Sequence, residues 1–404
     1  MHIILFTLIT ALFLEQLGQN FLYQKFNFII DIFGYFQGSF LYICGSLAII
    51  ISIFILYKSI KNKTFKPAKW DLCFMLLLGW GLISTLLAED KELAIIGSHR
   101  MDGYFSYLIY AAIYIGVRTL KSEKIRLNII RYFSLISTFL CYDLIVNDKI
   151  TSIFFNQNHF GYLLTLSTML LSGLFIYEKK IYIKVMYTVM FIINIVTLIN
   201  VDTFGSYLGV LFGMLFTLIL VLITKKEKFL VVSTVIALVF FVLVSIAVDS
   251  QTKILSQNFN IFGSDVKKIS TNAEDVDQAG SYRIALWKRS LEYIKEKPIF
   301  GYGPEGVYYD WLSYENAPND RPHNEYLQAA LFMGIPAAAF YLAGLILLFI
   351  YCIKNRKQLP SYAIISGTAV FAYCISAFFG NTMYYTTPYF FMILGMLSYI
   401  PNKK

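Results

Sequence analysis

The chain has 404 residues, 57% of them hydrophobic and only 15% charged, and it carries a formal net charge of +9. This composition excludes an ordinary set of two or three soluble domains. The five cysteines lie in or beside apolar runs and form no C-x-x-C pair, so neither a disulfide framework nor a metal site is indicated.

Apolar runs of about 20 residues, the length that crosses the hydrocarbon core of a bilayer, recur along the chain. They predict an all-α integral membrane protein with about twelve transmembrane helices. The predicted spans are 2–15, 38–57, 71–88, 104–118, 127–146, 160–177, 183–200, 205–223, 229–248, 325–350, 361–379 and 388–400.

The distribution of Lys and Arg predicts which side of the membrane each loop faces. If the N-terminus is cytoplasmic, the inner segments hold 21 of the 34 basic residues and the short outer loops hold four. The other nine lie in 249–323, a loop long enough to cross the membrane regardless of its charge. The prediction is therefore an N-terminal bundle of about nine helices (1–248), a large extracytoplasmic loop with short amphipathic helices (249–323) and C-terminal helices (324–404).

The net charge is thus a signal of topology, and membrane lipids, not nucleic acid, are the expected surroundings of the chain. We expect a multi-pass protein of the cell membrane. The abundance of Ile, Phe, Lys and Tyr is typical of an AT-rich bacterial genome and weakly favours a Gram-positive source.

Two outer loops carry polar residues directly before a predicted span. In GSHRMDGYF, Arg100 either pairs with Asp102 and extends toward the headgroups, or supplies a cation for a phosphate. In FFNQNHFGYLL, Asn156 and Asn158 either cap the helix that follows or contact a sugar. His159, in the same stretch, is interpreted as a loop residue.

The long loop contains a predicted amphipathic helix. Four apolar residues from Ile284 to Ile294 recur at three- and four-residue steps and share one face, and Ser281 is the predicted N-cap. Arg283 lies beside this apolar face, four residues before Trp287, where a solvated arginine is not expected. The helix is therefore predicted to lie along the bilayer surface with Arg283 turned toward the bundle.

The residues after this helix predict a tight turn, Gly301-Tyr302-Gly303-Pro304. Its glycines are interpreted as a requirement of backbone geometry and not as a phosphate cradle, because no strand–loop–helix pattern surrounds them. Aromatic side chains follow that either anchor the loop at the membrane interface or stack on sugar rings: Tyr308, Tyr309, Trp311 and Tyr314.

His323 stands at the start of the next long apolar run. Counting along a helix, it shares a face with Leu327, Ala330 and Gly334, and small residues on that face indicate that another helix packs closely. His323 is thus predicted to point into the bundle. Histidine suits the role of a proton acceptor, since its pKa lies near neutrality.

Several motifs in this region follow one another in a fixed order: R-x-x-x-W at 283–287, P-x-x-G-x-G-P at 298–304, H-N-E-Y-L-Q at 323–328 and G-I-P at 334–336. Together they resemble the O-antigen ligase family of membrane glycosyltransferases, which also contains polysaccharide polymerases and protein O-oligosaccharyltransferases. The O-antigen ligase-related region is predicted at about 155–345, and the resemblance implies a GT-C-like architecture.

The resemblance implies transfer of a glycan from an undecaprenyl-diphosphate carrier to an acceptor hydroxyl of a glycan, lipid or protein on the outer face of the membrane. It implies that Arg283 contacts the diphosphate and that His323 acts on the acceptor hydroxyl. The further candidates for substrate binding are Arg100, Asn156, Asn158, Arg321 and Tyr326. No cofactor is expected, and we expect a metal-independent reaction because no acidic cluster has metal-ligand spacing.

One position departs from the family pattern. Where the better-known ligases have Ser-Arg-Gly at a helix entry, this chain has Thr-Phe-Gly at 203–205. The phenyl ring of Phe204 cannot hold a diphosphate, so another cation is expected to replace the arginine. The candidates are Arg100, Lys149 and Arg321.

Three interpretations of function stay open at this point. The protein is a ligase that joins a lipid-carried glycan to an envelope acceptor, a polymerase or O-oligosaccharyltransferase of the same family, or a transporter without catalysis. The motifs do not separate the first two. The few charges inside the predicted spans, and the lack of broken helices repeated in two halves, count against a transporter.

Overall fold

The computed structural model describes residues 1–17, 36–62, 66–98, 100–154, 156–224, 228–307, 312 and 321–398. Within these ranges the chain forms helices and no strand, which confirms the all-α prediction. The aromatic residues Tyr308, Tyr309, Trp311 and Tyr314 lie outside the described residues.

The α-helices follow one another along the chain, with short 3-10 turns at Val276–Gln278 and Ala377–Phe379. They are α1 (His2–Leu17), α2 (Phe36–Lys61), α3 (Lys69–Leu87), α4 (Lys91–Ile96), α5 (Tyr104–Arg118), α6 (Glu123–Leu140), α7 (Tyr142–Asn147), α8 (Gln157–Tyr177), α9 (Ile181–Asn200), α10 (Phe204–Thr224), α11 (Lys228–Thr252), α12 (Ile254–Thr271), α13 (Arg283–Glu296), α14 (Glu325–Met333), α15 (Ile335–Asn355), α16 (Ser361–Ser376) and α17 (Thr387–Leu397).

Nine helices in the described part of the chain are long and apolar enough to cross a membrane. Three of the twelve predicted spans correspond instead to shorter helices: α1 has 16 residues, α5 has 15 and α17 has 11. The protein is therefore a polytopic membrane protein. Twelve spans and a GT-C-like architecture stay predictions.

Helix α8 forms the centre of the bundle, because it is buried along nearly its whole length. Helices α9, α10 and α16 pack around it. Gly209 on α10 lies so close to α16 that a Cβ atom there would be 2.7 Å from the carbonyl oxygen of Ala372. Small residues allow membrane helices to approach this closely.

The outer helices expose large apolar side chains, among them Ile50 on α2, Leu86 on α3 and Ile246 on α11. Surfaces this apolar are typical of contact with lipid hydrocarbon, where helices satisfy their own backbone hydrogen bonds. The apolar exteriors and the buried α8 agree with a bundle whose polar groups are turned inward.

The predicted span 325–350 is two helices and not one. Helix α14 ends at Met333 and α15 begins at Ile335, with Gly334 between them at φ +85°. A Cβ atom at Gly334 would overlap the carbonyl oxygen of Ile299, so the close approach of the 298–303 turn requires glycine there.

The turn after α13 is hydrogen-bonded to the backbone on both sides of this break. The N–H groups of Tyr302 and Gly303 donate to the carbonyls of Leu331 (3.1 Å) and Phe332 (2.8 Å), and Ile335 N–H donates to Pro298 (2.8 Å). Gly301 and Gly303 have φ of +64° and +91°. The interpretation of these glycines as a backbone requirement is confirmed, and the G-x-G-P and G-I-P motifs form one structural unit.

Candidate active site around His323

His323 lies just before α14, at one end of the bundle. Asn324 is the N-cap, since its side chain accepts hydrogen bonds from the N–H groups of Tyr326 (3.0 Å) and Leu327 (3.1 Å). The prediction that His323 belongs to the helical face is therefore wrong. The backbone of His323 is in the left-handed region, with φ of +49°. Residues other than glycine rarely adopt this conformation, and those that do cluster at functional sites.

Two contacts fix the position of this loop. Trp287 Nε1 donates to the carbonyl oxygen of Pro322 at 2.9 Å. Asn381, which follows the 3-10 turn at Ala377–Phe379, has its amide nitrogen 3.2 Å from His323 Nδ1. Asn381 Oδ1 is buried and has no hydrogen-bond partner among the described residues. Trp287 thus holds the backbone before His323, and Asn381 contacts the imidazole itself.

Arg283 lies one helical turn before Trp287, which explains the R-x-x-x-W spacing. Three residues in left-handed conformation, Gly280, Ser281 and Tyr282, lead into α13. The N-cap is Tyr282 and not the predicted Ser281. Arg283 Nη1 donates to Gly280 O at 2.9 Å, and the buried Nε has no partner in the described part of the chain.

Positive charge surrounds the imidazole of His323. Burial, followed by the charges of Arg283, Arg100 and Arg321, lowers the pKa of His323 from 6.5 to about 3. Burial also lowers the pKa of the Arg283 guanidinium. His323 is therefore neutral at physiological pH, in the form that accepts a proton.

Arg321 belongs to a buried ion network. Its guanidinium bonds to Asp102 Oδ2 at 3.0 Å and to Glu305 Oε1 at 2.6 Å, and its side chain is only 1% exposed. Thr382 and Gln328 also donate to Asp102. Burial raises the pKa of Asp102 despite the charge of Arg321. Burial alone would raise the pKa of Glu305, but Arg321 and the N–H groups of Ser98 and Asp102 together lower it.

This network joins four segments that are distant in sequence: the loop before α5, the turn after α13, the residues before α14 and the stretch after α16. Asp102 and Arg321 are 219 residues apart. Through these ion pairs Arg321 fixes the loop that carries His323 to the rest of the bundle. Its charge nevertheless reaches the imidazole.

Of the other predicted site residues, Arg100 acts on His323, whereas Asn156 and Tyr326 make structural contacts. Arg100 acts electrostatically on both His323 and His159. Asn156 caps α8, because its side chain accepts from Asn158 N–H at 2.8 Å. Tyr326 donates its hydroxyl to the carbonyl of Cys374 at 2.6 Å, a packing contact between α14 and α16.

Phe204 lies in an aromatic cluster and not beside the imidazole. Its ring centroid is 5.0 Å from that of Phe259 and 5.8 Å from that of Phe262, both on α12. The charge of Lys149 acts on Asp143 and Glu15, not on His323. Of the three cations considered as replacements, Arg100 and Arg321 are therefore the two that reach the imidazole.

Sequence reasoning missed Asn381 at this end of the bundle, and its interpretation of His159 as a loop residue is wrong. Asn381 is isolated in an apolar stretch, and no sequence pattern connects it with His323. His159 lies in the first turn of α8 with only 8% of its surface exposed. A histidine at a helix entry beside two asparagines was a usable signal. Among the described residues, no group of three or more His, Cys, Asp or Glu side chains could hold a metal ion.

Comparison with known proteins agrees with the motifs. The family model described as O-antigen ligase (Wzy_C) matches residues 189–342, which include Arg283, Trp287, His323 and the break at Gly334. The resemblance is therefore confirmed over this range. None of the curated proteins compared with the chain matches it.

Proposed function

We propose that this membrane enzyme moves a glycan from an undecaprenyl-diphosphate carrier to an acceptor hydroxyl on the outer face of the membrane, a proposal supported by the match of residues 189–342 to the O-antigen ligase family model. The observation that carries the proposal is a neutral, half-buried histidine flanked by Arg283 and Arg100. Transfer from a lipid diphosphate needs a proton acceptor and fixed positive charge.

His323 is the base in this proposal. It takes the proton of the acceptor hydroxyl as that oxygen attacks the anomeric carbon, and the bond from the anomeric carbon to the diphosphate oxygen breaks. The electron pair leaves with the undecaprenyl diphosphate, and arginine stabilises that charge because its planar guanidinium binds phosphate oxygens bidentately. The bound diphosphate also offsets the arginine charges, which raises the pKa of His323 and makes it a stronger base.

Arg283 and Arg100 are assigned to the diphosphate. The Arg283 guanidinium keeps a buried Nε without a partner in the described residues, so an incoming phosphate oxygen would satisfy it. Arg100 is the cation we assign in place of the arginine missing at Phe204. Arg321 is assigned a positioning role, since two carboxylates already bind it.

Asn381 is assigned the task of setting the tautomer of His323. A base needs its lone pair on Nε2, and this requires the hydrogen on Nδ1. Turning the Asn381 amide by 180° brings its unpartnered Oδ1 to Nδ1, where it accepts that hydrogen. Nε2 then faces the acceptor as a proton acceptor.

The outward orientation rests on the excess of Lys and Arg in the other set of loops, 21 against four. Asn158 and the capping residue Asn156 are retained as contacts for the sugar, and Tyr326 as a packing neighbour of the site.

The test is glycan transfer by purified protein in lipid nanodiscs with its native lipid-linked glycan. Wild type is compared with His323→Ala and Arg283→Ala, and Arg289→Ala on the exposed face of the same helix is the matched control. We expect both site variants to lose transfer while the control keeps it. Product size and attachment separate a ligase from a polymerase. Transfer by folded His323→Ala at the wild-type rate would overturn the proposal and favour a flux assay for transport.

A further inference from the structure

His159 shares two charged neighbours with His323, Arg321 and Arg100. It lies in the first turn of α8, its ring packs edge-on against Tyr162 with centroids 6.0 Å apart, and it interacts electrostatically with Arg321, Arg100 and His323. The side chain is 92% buried. Its Nδ1 is buried and finds no hydrogen-bond partner among the residues that the structure describes.

A buried polar atom without a partner costs free energy, and native proteins seldom leave one unless a ligand or water completes it. The surroundings of His159 indicate what that ligand is. The first turn of a long helix carries the positive end of its dipole, and Arg100 adds a full charge beside it. An oxyanion fits this environment, whereas a cation does not.

We propose that His159 is a further substrate-contacting residue, which donates a hydrogen bond from Nδ1 to a phosphate oxygen of the lipid diphosphate and shares that phosphate with Arg100. The inference rests on the proposed function and adds a residue to the diphosphate site. Neutral imidazole supplies a single N–H in a fixed direction, so His159 orients the leaving phosphate while the arginines supply charge.

Arg283 and Arg100 act on the same end of the bundle as His159. Arg283 and the ring of His159 both lie near Tyr162, and the charge of Arg100 acts on both histidines. A diphosphate carries more negative charge and more acceptor oxygens than a monophosphate, so it can bind more of these donors at once. The site is therefore expected to prefer undecaprenyl diphosphate over undecaprenyl phosphate.

The test is direct binding of undecaprenyl diphosphate and of undecaprenyl phosphate to the full-length protein in nanodiscs, without a glycan. His159→Leu removes the donor, and His159→Asn keeps an N–H near the position of Nδ1. Thr168→Val on the same helix is the matched control, because its buried hydroxyl also has no partner among the described residues but lies more than two turns deeper.

We expect His159→Leu to weaken diphosphate binding by about tenfold to a hundredfold, the usual effect of losing a hydrogen bond to a charged group. Wild type should bind the monophosphate more weakly than the diphosphate, His159→Asn should recover part of the loss, and Thr168→Val should bind like wild type. Equal affinity of wild type and His159→Leu for the diphosphate would overturn the inference but not the proposed function. Failure of wild type itself to bind the diphosphate would overturn both.

Discussion

The imidazole of His323 is neutral because of its surroundings, and this has a consequence for stability. Its pKa falls from 6.5 in the unfolded chain to about 3 in the folded protein. Between these values the unfolded chain binds a proton that the folded protein does not. Folding stability is therefore lost as the pH falls from about 6.5 toward about 3.

The first prediction concerns this acid sensitivity. Wild-type protein should lose more thermal stability between pH 7 and pH 5 than His323→Gln, because glutamine does not titrate. The measurement is the melting temperature of both proteins in the same detergent at the two pH values. Equal losses would mean that folding does not lower the pKa of His323.

Asn381 is expected to control the pKa of the imidazole beside it. Asn381→Asp places a carboxylate beside Nδ1–H, which raises the pKa of His323. The acid limb of the kcat profile should then move to higher pH, while Asn381→Leu should lower kcat by about tenfold or more with the affinity for the lipid diphosphate unchanged. Rates are measured from pH 5 to pH 9. An unmoved profile in Asn381→Asp would remove Asn381 from the mechanism.

Helix α13 positions two side chains, one turn apart, beside the loop of His323. Arg283 faces the imidazole, and Trp287 fixes the backbone beside it through Pro322. Trp287→Phe keeps the ring but removes the N–H donor. It should lower kcat about fivefold to tenfold, the effect of about 1 kcal/mol, and leave the donor KM nearly unchanged. A rise in KM alone would instead make Trp287 a contact for the substrate.

The buried network gives a prediction about the elements that it joins. Arg321→Met leaves the carboxylates of Asp102 and Glu305 buried together, which should cost about 3–5 kcal/mol of stability. The triple variant Arg321→Met/Asp102→Asn/Glu305→Gln should recover part of that loss. Unfolding of the purified proteins in SDS measures both. A stable Arg321→Met that loses only diphosphate binding would instead support the sequence-based assignment of Arg321 to substrate.

The helices and the motif residues could be predicted from the sequence, whereas contacts between distant segments could not. The structure has a helix in every span predicted from the apolar runs. Motif order singled out Arg283 and His323, and the fold brings the charge of Arg283 to act on His323. The partner of Arg321 could not be predicted, since Asp102 is 219 residues away and either carboxylate or phosphate suits an arginine. The break at Gly334 was also missed, because apolar composition continues across it, and the left-handed backbone and the close approach of Ile299 that require glycine are visible only in the fold.

At the scale of the whole molecule, the proposed chemistry requires that the end of the bundle with His323 faces outward. The chain itself allows a direct test. Lys267 on α12 and Lys180 before α9 are exposed, and the prediction from basic residues puts them on opposite sides of the membrane. The native cysteines are buried or partly buried, so they give a low background for thiol labelling.

Lys267→Cys should therefore react with a membrane-impermeant maleimide in intact cells, and Lys180→Cys should react only after permeabilisation. Unmodified protein measures the background, and labelling of both variants in SDS confirms that each thiol is present. The reverse pattern would place His323 on the cytoplasmic side. A glycan acceptor outside the cell could then not reach the base, and the proposed direction of transfer would be wrong even if the residues of the site were right.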